Sequence, residues 1–316
     1  MNRKHTSGLF RAAAILCALG LSASALAQED DWYPSPYGAE DEIGALNLLG
    51  PDDVRRGAGL VRQGKVFSLG VITGADTPAY GDRGFKMTMI PHDDRPPFGA
   101  MKGTSHDDML ETSLGIGSQI DGFAHLGINH RYYNGATAEE IYAPDGAKKF
   151  GTENIPPIAT RGILLDIAAL RDRPLERGEE ITVEDIEAAA KAAKVSIKHG
   201  DVVLFHTGWM RLAEEDPQTF LSGAPGIGVP AAEWLADRGV VAVGADTWCV
   251  EVLPNPDPAQ VFPVHSTLLA KRGVHLLESM DTAALAEDGP GPFFFVLGVP
   301  RFEGAVQMVI NPVAMR

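Results

Sequence analysis

Three continuous apolar runs constrain this chain most. Residues 161–167, 201–206 and 240–245 are each almost wholly apolar and bounded by Gly or charge. A strand with no polar face must be covered on both sides, so each run predicts a buried strand of a parallel sheet. Helix signals lie between them. Thr182-Val183-Glu184-Asp185 has the form of a capped start, followed by an apolar face of Ile186, Ala189, Ala190 and Ala193. Residues 230–238 open on Pro230 and stop at Gly239, and residues 264–271 look helical and close at Gly273. A short strand, 274–277, then runs into Glu278. Alternation of strand and helix from residue 160 onward predicts an α/β layered fold, and a closing β pair, 293–299 with 305–310, makes the sheet mixed. No internal repeat, low-complexity tract or linker interrupts the chain.

The first 27 residues read differently. Arg3, Lys4 and Arg11 form a basic region, residues 12–21 are apolar, and Ala25-Leu26-Ala27 is a small-x-small cleavage site. This is the form of a secretory signal peptide, so a periplasmic or secreted protein cleaved after Ala27 is expected. Residues 28–316 are then expected to make one domain with an irregular N-terminal arm. Loss of three basic residues takes the formal net charge from −15 to −18, which should repel nucleic acid and anionic membrane surfaces. Only Cys249 remains after cleavage, so packing and a metal ion, rather than an intrachain disulfide, must stabilise the fold. Ahead of the sheet, a short helix from Pro51, strands at 66–71, 87–90 and 109–114, and a loop at 93–97 are expected, the loop bordering a substrate site.

The stretch from Gly117 to His125 carries the densest chemistry. Gln119 and Asp121 lie two apart, so on an extended segment they face the same way, and His125 follows after Gly122. Oxygen and nitrogen donors of this kind hold hard or borderline metal ions. The same pattern also suits a plain strand end in which Asp121 caps a turn and His125 is a satisfied core histidine. Asp121, Asp246, Glu278 and His206 stand at the ends of apolar runs, where ligands collect in open α/β sheets. His265 and Glu278 are joined by a helix, a Gly stop and a strand, so Gln119, Asp121, His265 and Glu278 could close on one ion. Alternatively, His265 packs at a helix N-terminus beside Pro263, and Glu278 caps a helix near Asp281. Cys249, beside Trp248, reads as a buried small residue. There is no G-x-S-x-G, P-loop, dinucleotide fingerprint or C-x-x-C.

Taken in order, these segments resemble the cyclase-type metal-dependent hydrolases, the group that includes kynurenine formamidase and isatin hydrolase. The resemblance rests on Ile43-Gly44-Ala45-Leu46-Asn47, the 117–125 stretch, the strands at 161–166 and 201–204 with Thr207-Gly208-Trp209, Gly244-Ala245-Asp246-Thr247, and His265 with Leu268-Leu269, Gly273 and Glu278. It implies a swivelling β/β/α fold and a dimer or larger homo-oligomer. The family motif H-x-G-T-H-x-D-x-P-x-H places its Asp on Asp121 and its last His on His125, and the downstream ligands on His265 and Glu278. Its first two His positions are occupied by Gly115 and Gln119. This implies a single, more oxygen-rich site for Mn²⁺ or Zn²⁺, or for Mg²⁺, with Gln119 offering an amide oxygen and His106 or His130 as replacement ligands. The expected activity is hydrolysis of a small cyclic or N-acyl amide, or of a lactone, with His125 shuttling the proton. Phe123, Trp209, Trp248 and Tyr133 are candidates for an aromatic substrate wall. A small-molecule binder that has kept the scaffold and lost catalysis is the other expectation.

Overall fold

A computed structural model describes residues 32–91 and 96–316. The expected signal peptide and residues 93–95 of the expected loop lie outside the described residues. The strands, in chain order, are β1 (Val66–Ser68), β2 (Phe85–Ile90), β3 (Asp107–Thr112), β4 (Gln119–Asp121), β5 (Ile158–Asp166), β6 (Glu180–Ile181), β7 (Val202–His206), β8 (Gly226–Ile227), β9 (Ala242–Ala245), β10 (His275–Glu278), β11 (Gly291–Leu297), β12 (Gln307–Val309) and β13 (Val313–Met315).

Nine of them form one mixed sheet in the order β1-β13-β11-β5-β7-β9-β10-β4-β12. The three apolar runs become β5, β7 and β9, which with β10 make its parallel centre. Ile163, Leu164, Val203, Leu204, Val243 and Leu277 are wholly buried, which is why these strands show no polar alternation. The crossover helices include Val183–Ala192 and Val229–Asp237. Thr182 accepts from the Asp185 amide while the Asp185 carboxylate accepts from the Thr182 amide, the reciprocal cap expected from the sequence. Helical structure at Pro263–His265 continues as a π-helical turn over Ser266–Lys271.

The closing β pair is a correction. β11 and β12 do not pair with each other. β11 lies between β5 and β13, whereas β12 crosses to the opposite edge and pairs antiparallel with β4. The reason is hydrogen-bond demand. β4 is three residues long and fully buried, so its backbone groups need ladders on both sides, and β10 supplies only one. β13, too short to stand out in the sequence, joins β11 to β1.

Two ion-paired residues lock the sheet's centre. The Arg161 guanidinium on β5 donates from Nε to Asp201 Oδ1 (2.8 Å) and from Nη2 to Asp201 Oδ2 (2.7 Å) just ahead of β7. Apart from the sheet, β2 and β3 form a two-stranded hairpin with solvent on both faces. Among the described residues no helix is long and apolar enough to cross a membrane.

Candidate metal centre

β4 sits between β10 and β12, and its register builds the site. Gln119 is directly opposite Glu278 on β10, and Asp121 is directly opposite Gln307 on β12. Residues two apart share a face, so all four side chains point the same way, while Ile120 points into the core. Each pair is hydrogen-bonded: Gln119 Nε2 donates to Glu278 Oε2 (2.7 Å), and Gln307 Nε2 donates to Asp121 Oδ1 (2.7 Å). The two amides thus hold one oxygen of each carboxylate and the other faces the centre, where Glu278 Oε1 also accepts the Val250 amide (3.2 Å).

These two oxygens converge on His265. Its Nε2 is 3.2 Å from Glu278 Oε1 and 3.6 Å from Asp121 Oδ2. Asp121 Oδ2 is buried and has no hydrogen-bond partner. On the far side of the ring, His265 Nδ1 is hydrogen-bonded to Glu251 Oε1. Glu251 also accepts the backbone N–H groups of Val264 (3.2 Å) and His265 (3.0 Å), so one carboxylate caps the helical segment and aims the imidazole. Cys249 lies in the same cluster: one ligand atom from each of Cys249, His265 and Glu278 falls within 4.8 Å of the others.

These donors fit a single divalent ion. Ligand bonds of about 2.0–2.2 Å in a tetrahedron put donor atoms about 3.3–3.6 Å apart, close to the separations at His265 Nε2. An orphaned, buried carboxylate oxygen is otherwise costly. The group that would hold the ion is therefore Asp121 Oδ2, Glu278 Oε1 and His265 Nε2, with Cys249 Sγ adjacent. Burial opposes protonation of His265, but hydrogen bonds to Glu251 and Glu278 and the charges of both outweigh it and push its pKa up to about 10. Burial, followed by repulsion from Asp121, raises the pKa of Glu278. Burial and then Glu278 and Glu251 push the Cys249 thiol well above its usual value, so it is protonated unless a cation joins it.

Gln119 was expected to offer its amide oxygen as a ligand. The structure turns its Nε2 to Glu278 instead, which makes it a support for a ligand. Nor do His106 and His130 replace the missing histidines, for both are solvent-exposed and stand outside the cluster. The space at Gly115 is filled from across the sheet: a Cβ built there would meet Gln307 Oε1 at 2.4 Å. Gln307 is held in turn by Arg83, which donates to Gln307 Oε1 (3.3 Å) and to the Gly115 carbonyl (2.8 Å).

His125 follows β4 on a turn closed by its own N–H to the Gly122 carbonyl (3.0 Å), and its ring centroid is 6.4 Å from that of His265. Burial pushes its pKa below the ordinary histidine value; Asp121 pulls it back up, and His265 and Arg83 push it further down. The aromatic candidates divide. Trp248 is half-buried and stacks on Tyr80 at 5.1 Å; Tyr80 meets Phe262 edge-on, and Phe262 meets His265 at 5.4 Å. Phe123 and Tyr133 pack together in the core at 4.5 Å, and Trp209 is buried with its indole N–H on the Phe220 carbonyl. Phe123, Tyr133 and Trp209 therefore do not form an open wall. Asp246 accepts from the Thr207 amide and hydroxyl and the Gly208 amide, and His206 bonds Thr282, so these two strand-end residues brace a turn outside the centre.

The family model described as Putative cyclase matches residues 67–252. This chain belongs to the cyclase family. Among solved structures, one described as a novel cyclase is 28% identical to this family member, with a TM-score of 0.81, covering 89% of this chain and 98% of that one. Isatin hydrolase A from Ralstonia solanacearum is 20% identical with a TM-score of 0.62, covering 79% and 91%. A "predicted metal-dependent hydrolase" from Bacillus stearothermophilus is 19% identical with a TM-score of 0.54, covering 80% and 98%. These last two share the cyclase fold. A search of curated protein sequences gave no match. Within the cyclase frame, Glu251, Cys249, Gln307 and Arg83 are the site residues that sequence reasoning missed. Only Cys249 carried a signal, as the one cysteine among the described residues.

Proposed function

We propose that this cyclase-family protein is an exported, metal-dependent hydrolase of a small cyclic or N-acyl amide, or of a lactone. The observation that carries this reading is the convergence of Asp121 Oδ2 and Glu278 Oε1 on His265 Nε2, with an amide occupying the other oxygen of each carboxylate. The named hydrolases of the same fold support it. Two carboxylate oxygens and one imidazole suit Mn²⁺ or Zn²⁺, and the neighbouring Cys249 favours Zn²⁺. A divalent ion in such a site supplies Lewis acidity toward a carbonyl and toward water. Gln119 and Gln307 fix the carboxylates, and Glu251 fixes the His265 ring and its tautomer. His125, kept neutral by burial, accepts the proton released when the oxygen of water adds to the carbonyl carbon. It then delivers that proton to the leaving nitrogen or oxygen as the bond to carbon breaks. Trp248, stacked on Tyr80, offers a flat surface beside the site.

Elemental analysis of the purified mature protein, before and after incubation with Mn²⁺ and Zn²⁺, tests this. Near-stoichiometric metal that is lost in Asp121→Asn and Glu278→Gln is expected, together with turnover in an amide and lactone screen. Absence of metal under every condition sinks the mechanism. The second reading, a non-catalytic small-molecule binder, is favoured by one observation: with its pKa near 10, His265 as an imidazolium can answer the surrounding acid charges by itself. A melting temperature that a chelator leaves unchanged would support it, since an ion bound only to the native state raises stability with occupancy.

Small molecules, not nucleic acid or membranes, suit the acidic surface. A homodimer or larger homo-oligomer is also part of the proposal, supported by the β2–β3 hairpin. Met87, Met89 and Leu110 share one of its faces and are 53%, 67% and 49% exposed.

A further inference from the structure

We propose that Arg83 forms an anion subsite at the mouth of this centre and takes the carboxylate of a flat, singly charged ligand. The inference rests on the hydrolase reading for the ligand's role as substrate, but not for its binding. Arg83 donates to two neutral oxygens, the Gly115 carbonyl and Gln307 Oε1. Among the described residues Arg83 forms no ion pair, its polar partners being those two oxygens, although the chain is strongly acidic. A guanidinium has five N–H donors in a fixed fork, so anchoring through two of them leaves a fork edge free.

Its position ties it to the site. Arg83 is half-buried, and its guanidinium carbon lies 6.0 Å from the Tyr80 ring centroid. Tyr80 stacks on Trp248 and meets Phe262, which in turn packs on His265. An unbroken set of contacts therefore runs from the guanidinium along an aromatic surface to the centre. Gln307, the residue that Arg83 orients, holds Asp121. The arrangement depends on Gly115: any side chain there would collide with Gln307 and remove the amide that receives Arg83. Charge selects the ligand. Asp121, Glu251 and Glu278 crowd the floor of the site, so a dianionic phosphate meets more repulsion than a monoanionic carboxylate does.

Calorimetric titration with benzoate and with its neutral analogue benzamide tests the subsite in wild type, Arg83→Met and Arg83→Lys, each as purified and after chelation. Wild type should prefer benzoate. Arg83→Met should weaken benzoate binding about 10- to 100-fold and leave benzamide nearly unchanged, with Arg83→Lys between them. The preference should survive chelation. Unchanged benzoate affinity in Arg83→Met, loss of benzoate binding in wild type on chelation alone, or no binding in the millimolar range would each overturn the proposal. Unaltered metal content and melting temperature in Arg83→Lys separate loss of the subsite from loss of the fold. Failure of the hydrolase reading would appear instead as missing metal or missing turnover, with benzoate binding intact.

Discussion

At the scale of single residues, two histidines on either side of Asp121 have opposite duties. In the proposed hydrolysis His125 must be neutral to accept a proton, and burial lowers its pKa in that direction. The acid limb of kcat/KM should therefore fall below pH 6.5, the ordinary histidine value. His125→Ala should lower kcat by about 10²–10⁴-fold while metal content holds; loss of metal with it would make His125 a ligand. His275 is structural. It stacks on Phe123 with ring centroids 4.2 Å apart, and its Nδ1 bonds the Asp121 carbonyl at 2.9 Å. Burial lowers its pKa to about 4. The unfolded imidazole takes up a proton below about pH 6.5, and the folded one does so only near 4. The stability this provides is complete above pH 6.5 and is lost as pH falls toward 4, by about 3 kcal/mol at roughly 1.4 kcal/mol per unit. Urea titrations of wild type and His275→Gln across that window should show the acid slope flattened in the variant; equal slopes would refute the assignment.

At the scale of elements, the site is a consequence of register. A slip of one residue between β4 and either neighbour would turn Gln119 and Asp121 into the core and Ile120 into the centre. The sheet's centre must therefore be held firmly, and the Arg161–Asp201 pair does this where β5 meets the start of β7. Arg161→Ala leaves Asp201 fully buried without its counter-ion and should destabilise by about 3–5 kcal/mol, readable as a shift in the denaturation midpoint. A cost under about 1 kcal/mol would show the pair to be dispensable. Asp121 and Glu278 could be picked from the sequence because each ends an apolar run, and His265 because it opens the helix that leads through a Gly stop to Glu278 and falls on a ligand position of the family it resembles. Gln307 could not, because nothing near it in sequence shows that β12 leaves β11 to lie beside β4.

At the scale of the whole molecule, the β2–β3 hairpin stands apart from the main sheet and is exposed on both faces. A two-stranded ribbon is marginal in water without a face to pack on, and this one exposes Met87, Met89 and Leu110 together. Analytical ultracentrifugation should find the wild type as a dimer or larger, and Met87→Glu combined with Leu110→Glu should yield monomer with unchanged metal content. A monomeric wild type would remove the role assigned to the hairpin. The formal net charge of −15 would oppose binding to nucleic acid, in keeping with the proposed small-molecule ligand.

By itself the sequence determined the layered α/β architecture and its buried parallel centre, and it pointed to three of the candidate donor residues. Continuous apolar runs, caps and glycine stops are local signals, and each reports on its own element. Only the tertiary structure decided which strands flank β4, which oxygen of each carboxylate faces His265, and that Gln307, held by Arg83, fills the space above Gly115. The physical reason is that cross-strand pairing sets these contacts. Asp121 and Gln307 are 186 residues apart in the chain, and register alone puts them face to face.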